Sequence, residues 1–350
     1  MKTRNEIQHK MKCSTSMIRS YQLQATCYRL IILILLSITI GSCYSIESDC
    51  DDDGDFYWER TNGSFYVFGI AVAMNGNIWA RDWDIYLSTD NGNKWVKKSP
   101  PPYSITKIAI NPVRASVFIY ASSEDNRGTL YRSTNNGETW EEKLRAYVIT
   151  DIFITPSGEI YLGAGRNIYY SNNNGDNWTN KSNENTGVNS IDCIVEGADG
   201  TLYAGMFYSG VYRSTNGGDT WLPPSNYTNV QINKLTIADD GSIFAAASYD
   251  GVLKSTDRGV SWTQVNNGLS SGYGGSHQVS EIIYNPITRD IFVITWNSAI
   301  YRSTDLGESW ELKNSGLPNE RDINALAFNP NTGQMYAATG GGVYRSRGRK

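Results

Sequence analysis

From about Phe65 to the C-terminus the chain is a succession of short apolar runs, each cut off by a turn signal. Ile191–Val195, Thr201–Gly205 and Gly210–Ser214 make one such set, followed by Trp221. Ile323–Phe328, Gln334–Thr339 and Gly342–Ser346 make another. The runs alternate apolar and polar positions or are apolar throughout, and Asn-Pro, Asp-Gly or Gly-Gly pairs bound them, which predicts β-strands. No segment shows apolar residues at a helical spacing.

After the third run of each set comes one repeated phrase. It reads Ser88-Thr-Asp90-Asn-Gly92-Asn-Lys-Trp95, then Ser133-Thr-Asn135-Asn-Gly137-Glu-Thr-Trp140, then Ser171-Asn-Asn173-Asn-Gly175-Asp-Asn-Trp178. It returns at Ser214-Thr-Asn216, Ser255-Thr-Asp257 and Ser303-Thr-Asp305, ending on Trp221, Trp262 and Trp310. The tryptophans are 45, 38, 43, 41 and 48 residues apart. A repeat of that length makes each copy one supersecondary unit. The phrase itself is turn chemistry: the Asx side chain accepts hydrogen bonds from main-chain N–H groups ahead of it, and Gly takes a positive φ. The Trp then opens a fourth strand and covers a large apolar area. Four short antiparallel strands repeated radially predict an all-β fold, a seven-bladed β-propeller. The seventh unit stops at Tyr344-Arg-Ser346 without a Trp strand. Phe56-Tyr-Trp58-Glu-Arg60 has the look of the missing strand, so residues 56–60 are expected to close the last blade and remove an open edge.

The N-terminus has a different pattern. Residues 1–42 carry six basic side chains against one acid, then the apolar run Leu30–Ile40 and the small residues Gly41-Ser42. That order predicts a secretory signal, not a membrane span. Ile40-Gly41-Ser42-Cys43 resembles the bacterial lipobox, which implies lipidation of Cys43. The acidic stretch that follows, residues 43–55, is read as a tether, and it resembles that of surface lipoproteins of the Bacteroidetes group. The expected domains are thus a signal (1–42), a tether (43–55) and a propeller (56–350), exported and anchored to an outer membrane or cell surface. Beyond residue 42 there are 25 basic and 34 acidic residues, a net charge of −9 without a basic stripe. Nucleic acid is therefore excluded as a partner. A monomer is expected. Cys193, in an apolar strand, reads as a small buried hydrophobe.

The phrase Ser-x-Asp-x-Gly-x-x-Trp is similar to the Asp-box, or bacterial neuraminidase repeat, of sialidases, xyloglucan-cleaving glycosidases, sortilin-type receptors and a photosystem II assembly factor. The resemblance covers residues 56–350. It implies that Asp90, Asn135, Asn173, Asn216, Asp257 and Asp305 are structural. It also implies that they lie between the third and fourth strands, on the face away from the sialidase active site. A ligand site is then expected at the other mouth. The candidate binding residues there are Arg81, Trp83, Arg127, Arg166, Tyr208, Tyr249, Trp296 and Arg321. Aromatic faces stack on sugars or side chains, and polar groups fix orientation.

The preferred reading is non-catalytic recognition of a glycan or protein ligand. The runner-up is a glycoside hydrolase of sialidase-like ancestry using carboxylates among Asp82, Asp125, Asp250 and Asp322. A third reading is an assembly factor resembling the photosystem protein. The sialidase Arg-Ile-Pro signature is absent; Tyr66-Val-Phe-Gly-Ile-Ala occupies its place. His277 is the only His beyond residue 42, so no His-based triad is assembled. No metal or cofactor is expected, since each box offers at most one carboxylate from its Ser to its Gly.

Overall fold

The computed structural model describes residues 56–347 apart from residues 64, 100, 102–103, 123–126, 182–189, 273–274 and 319–321, with only the main chain of Arg127 and Tyr147. The expected signal, the tether and Cys43 therefore lie outside the described residues, as do Asp125, Arg321 and the Arg127 side chain.

Seven antiparallel sheets form a ring, a seven-bladed β-propeller. The innermost strands are Gly69–Val72, Ser104–Ile110, Ile149–Ile154, Ile191–Glu196, Ile232–Ile237, Val279–Asn285 and Ile323–Phe328. Each touches the innermost strand of the next blade, and the last touches the first, so they enclose a central channel. The second strands are sealed on both faces: Ile160–Ala164, Leu202–Met206, Ile243–Ala247 and Met335–Thr339 are buried at every position. This is why those runs read as continuous rather than alternating. Each apolar cluster straddles two neighbouring blades, as with Trp79, Ile85 and Leu87 against Ile105, Val117 and Ile119.

The seventh blade takes its outer strand from the other end of the chain. Tyr57–Arg60 pairs antiparallel with Gly342–Arg347, Trp58 opposite Ser346. Trp58 repeats the seating of Trp310. Trp310 donates its ring N–H to Val265 O (2.7 Å) and its main-chain N–H to Asn267 O (2.9 Å). Trp58 donates in the same way to Lys313 O (2.8 Å) and Ser315 O (2.8 Å). The fourth blade is the exception at its rim. Its outer strand shrinks to a single bridge, Arg213 with Leu222, because Pro223 and Pro224 follow and cannot donate to a ladder.

In every repeated phrase the Ser hydroxyl donates to the Asx side chain and accepts from the Gly N–H, for example Ser303 Oγ to Asp305 Oδ1 (2.7 Å) and Gly307 N to Ser303 Oγ (2.8 Å). Asp305 Oδ1 also accepts from Ser309 N (2.9 Å). Asn does the same work at Asn135, Asn173 and Asn216 through its acceptor oxygen, and Asn135 and Asn216 also donate through Nδ2 to Thr139 and Thr220. The residue before the Gly is also left-handed, at φ 57° for Leu306 and 60° for Arg258. All six phrases join third to outer strands, on the same face as the turns between first and second strands.

Candidate functional site

The other face is built from the turns between second and third strands and from the connections between blades. Most of the candidate residues stand in those turns. Trp83 caps Asp82–Asp84, Arg166 lies before Asn167–Ser171, and Tyr208, Tyr249 and Trp296 occupy the corresponding turns of blades four, five and six. Trp83 and Trp296 are 69% and 65% exposed, with no core of their own to fill. Tyr66, Phe207, Tyr208 and Tyr249 are exposed beside them. Trp83 leans edge-on against Phe68 (5.4 Å), which tilts on Tyr66 (4.7 Å), and Phe207 meets Tyr208 edge-on (4.6 Å). The rim thus presents aromatic faces on at least four blades.

Among the charged candidates, several are engaged by the protein itself. Arg81 donates to Ile105 O (3.0 Å) and Phe68 O (3.4 Å), clamping blade one to blade two. Burial pulls its guanidinium down to about 10. Asp82 accepts from Asp84 N (2.5 Å) and closes its own turn. Asp250 accepts from Gln264 Nε2 (3.1 Å), on the outer strand. Asp322 lies beside Tyr66 and helps push the Tyr66 phenol up, behind the larger effect of burial. Arg166 is exposed, with no partner among the described residues.

Beneath the rim the channel holds a second set of charges, which turn-by-turn reading of the loops does not reach. Six inner strands carry a β-bulge near their start, and the extra residue is always polar: Thr106, Thr150, Asp192, Asn233, Ser280 and Asn324. Three of these reach the next blade. Thr150 donates to Ile191 O, Asn233 to Val279 O (2.8 Å) and Asn324 to Val67 O (2.8 Å). The residue after the bulge is Lys107, Asp151, Cys193, Lys234, Glu281 or Ala325. Lys234 Nζ lies 3.4 Å from Asp151 Oδ1, reaching past blade four, and Asp151 Oδ2 also accepts from Ile194 N (3.0 Å). The Asp151 charge raises the Lys234 ammonium against the opposing effect of burial.

Lys107, Asp192 and Glu281 have no hydrogen-bond or ion-pair partner among the described residues. Burial dominates all three. It lowers the Lys107 ammonium, lifts the Asp192 carboxyl to about 6 and raises that of Glu281. Lys107 and Lys234 work against the rise at Glu281, as Lys107 does at Asp192. The signal was present in the sequence: a charged or polar pair interrupts an otherwise apolar run at the same place in Ile105-Thr-Lys107, Ile149-Thr-Asp151, Ile232-Asn-Lys234 and Val279-Ser-Glu281. Cys193 is free and wholly buried, and burial pushes its thiol up.

On blades one, two, six and seven the far end of the channel is apolar. Val72, Ile110, Ile283 and Phe328, from the inner strands of blades one, two, six and seven, line about 230 Å³ there with Met74, Pro112 and Pro330. A wider groove of about 1130 Å³ opens on the face of the repeated turns. Its aspartates serve local structure: Asp199 accepts from Thr201 N (3.1 Å), Asp240 from Ser242 N (2.9 Å), and Asp239 pairs with Arg289 at 3.8 Å. Burial raises the carboxyl of Glu196, which also lines the groove.

No protein-family model matches the sequence, and no curated protein matches it either. Solved structures do share the fold. The glycoside hydrolase family 74 xyloglucanase from Xanthomonas campestris superposes with a TM-score of 0.66 at 17% identity, over 84% of this chain and 54% of that one. The family 74 enzyme of Niastella koreensis gives 0.65 at 18%, over 83% and 53%. The chain therefore spans about half the length of these enzymes. YCF48 bound to D1 peptide gives 0.63 at 13%, over 85% of this chain and 96% of that one. At such identities the likeness is one of fold.

Proposed function

We propose that the protein is a recognition module that binds a glycan at the mouth away from the repeated turns, without catalysing a reaction. The observation that carries this is the exposed aromatic rim, Trp83 and Trp296 above all, standing over a channel whose Lys107, Asp192 and Glu281 have no partner among the described residues. Flat aromatic faces stack on the C–H faces of sugars, and charged groups below them order the hydroxyls. The repeated turns make the ring an Asp-box propeller of sialidase-like ancestry. The N-terminal pattern makes it an exported lipoprotein held through Cys43. A glycan array probed with the full-length chain tests the reading. Binding is expected, and Trp83→Ala or Trp296→Ala each weakens it by about tenfold, or ~1.4 kcal/mol, within the range of a buried aromatic contact. Binding to peptides instead of glycans would favour a protein ligand, in keeping with one structural neighbour, YCF48 bound to D1 peptide.

A glycoside hydrolase is the second reading. What favours it is the Asp192 carboxyl, lifted by burial to about 6, the range a general acid needs. The family 74 neighbours are hydrolases on the same fold. On this reading the working acids are in the channel, and Asp82 and Asp250 remain turn residues. Release of chromophore from aryl glycosides by the wild type, lost in Asp192→Asn, would establish it in place of simple recognition.

A further inference from the structure

We propose that the mouth end of the central channel is a pocket for the terminal sugar of a glycan, whose hydroxyls are held by Lys107 Nζ and by the carboxylates of Asp192 and Glu281. This rests on the glycan reading of the mouth and adds which part of the glycan is recognised. Lys107 and Glu281 follow the bulges of blades two and six, the position from which Asp151 and Lys234 meet past blade four at 3.4 Å, and Asp192 is itself the bulge residue of blade four. Each is half-buried. None has a partner among the described residues, whereas the neighbouring Asp151 and Lys234 satisfy one another. Half-buried polar groups without partners are costly, and a ligand that supplies partners recovers that cost.

The chemistry of the set selects the ligand. Lys107 only donates, and the two carboxylates only accept when ionised. A sugar hydroxyl does both, so one hydroxylated ring meets all three. Among the described residues, Lys107, Lys234 and Arg81 balance Asp151, Asp192 and Glu281 in number, which suits a neutral ligand.

The shape selects the end of the chain. Seven inner strands wall the channel laterally, and on blades one, two, six and seven its far end is lined by Val72, Ile110, Ile283 and Phe328, which offer no side-chain hydrogen bonds. A polysaccharide cannot thread through that end without losing the partners of its hydroxyls. Only a terminal residue fits, with the next sugars lying across Trp83 or Trp296.

The test uses the full-length chain and two sets of neutral oligosaccharides, one with free non-reducing ends and one with that end blocked by O-methylation. The wild type is expected to bind the free-ended set at least tenfold more tightly, since the blocked ring loses hydrogen bonds to charged groups worth about 1.5–3 kcal/mol each. Lys107→Met and Glu281→Gln are each expected to abolish that preference, while Trp83→Ala weakens both sets alike. Equal affinity of the wild type for both sets overturns the terminal pocket and leaves glycan recognition standing. So does an unchanged preference in both channel variants. Binding of peptides and of no glycan overturns both. The wild-type comparison decides the matter by itself if a channel variant does not fold.

Discussion

At the scale of single residues, environment rather than residue type separates structural from candidate functional groups. Asp257 and Asp192 are both aspartates in a β-rich ring. Burial alone would raise the Asp257 carboxyl, but hydrogen bonds from Ser261 and Ser255 outweigh it and hold the group at about 2. Asp192 has no such donors, and burial lifts it to about 6, with Lys107 opposing and Asp151 adding to the rise. The consequence for stability has a definite sign. The folded value lies above the ordinary 3.8, so between pH 4 and 6 the folded chain keeps a proton the unfolded chain has released. Stability contributed by this group is full below about pH 4 and falls as pH rises towards 6. With solvent screening discounted, the loss is about 1 kcal/mol or less. Melting temperatures measured from pH 4 to 7 are expected to show this descent in the wild type and to lack it in Asp192→Asn. The repeated phrases act in the opposite direction, since Asp90, Asp257 and Asp305 are all held below their ordinary values and weaken the fold only in stronger acid.

At the scale of elements, the repeat is a device for joining blades. The turn ties itself with side-chain hydrogen bonds and delivers a Trp to the neighbouring blade. Trp58 uses the same seat at the end of the ring, and Gly316 shows how close the approach is. At φ 86°, a side chain there would set its Cβ 2.0 Å from Trp58 O. Gly268 makes the same approach to Trp310 O. Trp58 is 1% exposed and packs with Phe292, Ile300 and Tyr344. Trp58→Ala is expected to destabilise the protein by about 3–5 kcal/mol, the range for a large aromatic removed from a core. Urea unfolding is the measurement. A loss below about 1 kcal/mol would mean the strand contributes little to closure. The bulged inner strands are the second joining device, with Thr150, Asn233 and Asn324 donating across to the following blade. Asp192 occupies that position in blade four and has no proton to donate when ionised.

At the scale of the whole molecule, the ring divides its labour between two faces. One face has the tied turns. The other has the exposed aromatics and opens on the charged half of the channel, while the opposite half is apolar on blades one, two, six and seven. If the chain is tethered through a lipid on Cys43, Cys43→Ala is expected to move it from the membrane fraction to the soluble fraction on cell fractionation. Unchanged membrane association would rule out that anchor.

Sequence alone determined the strands, the all-β class and the count of seven, because a turn built from Ser, Asx, Gly and Trp is local chemistry repeated at a fixed interval. It also named the rim: Trp83, Tyr208, Tyr249 and Trp296 are turn residues by position. Only the tertiary structure decided which charged residues are free. Arg81, Asp82 and Asp250 look available as letters but are engaged by main-chain and side-chain neighbours. Lys107, Asp151, Lys234 and Glu281 look like interruptions of apolar strands until the ring closes and a bulge in each strand turns them onto one axis. The physical reason is distance along the chain. A turn is made of residues four apart, whereas Asp151 meets Lys234 across 83 residues, and no local pattern reports that meeting.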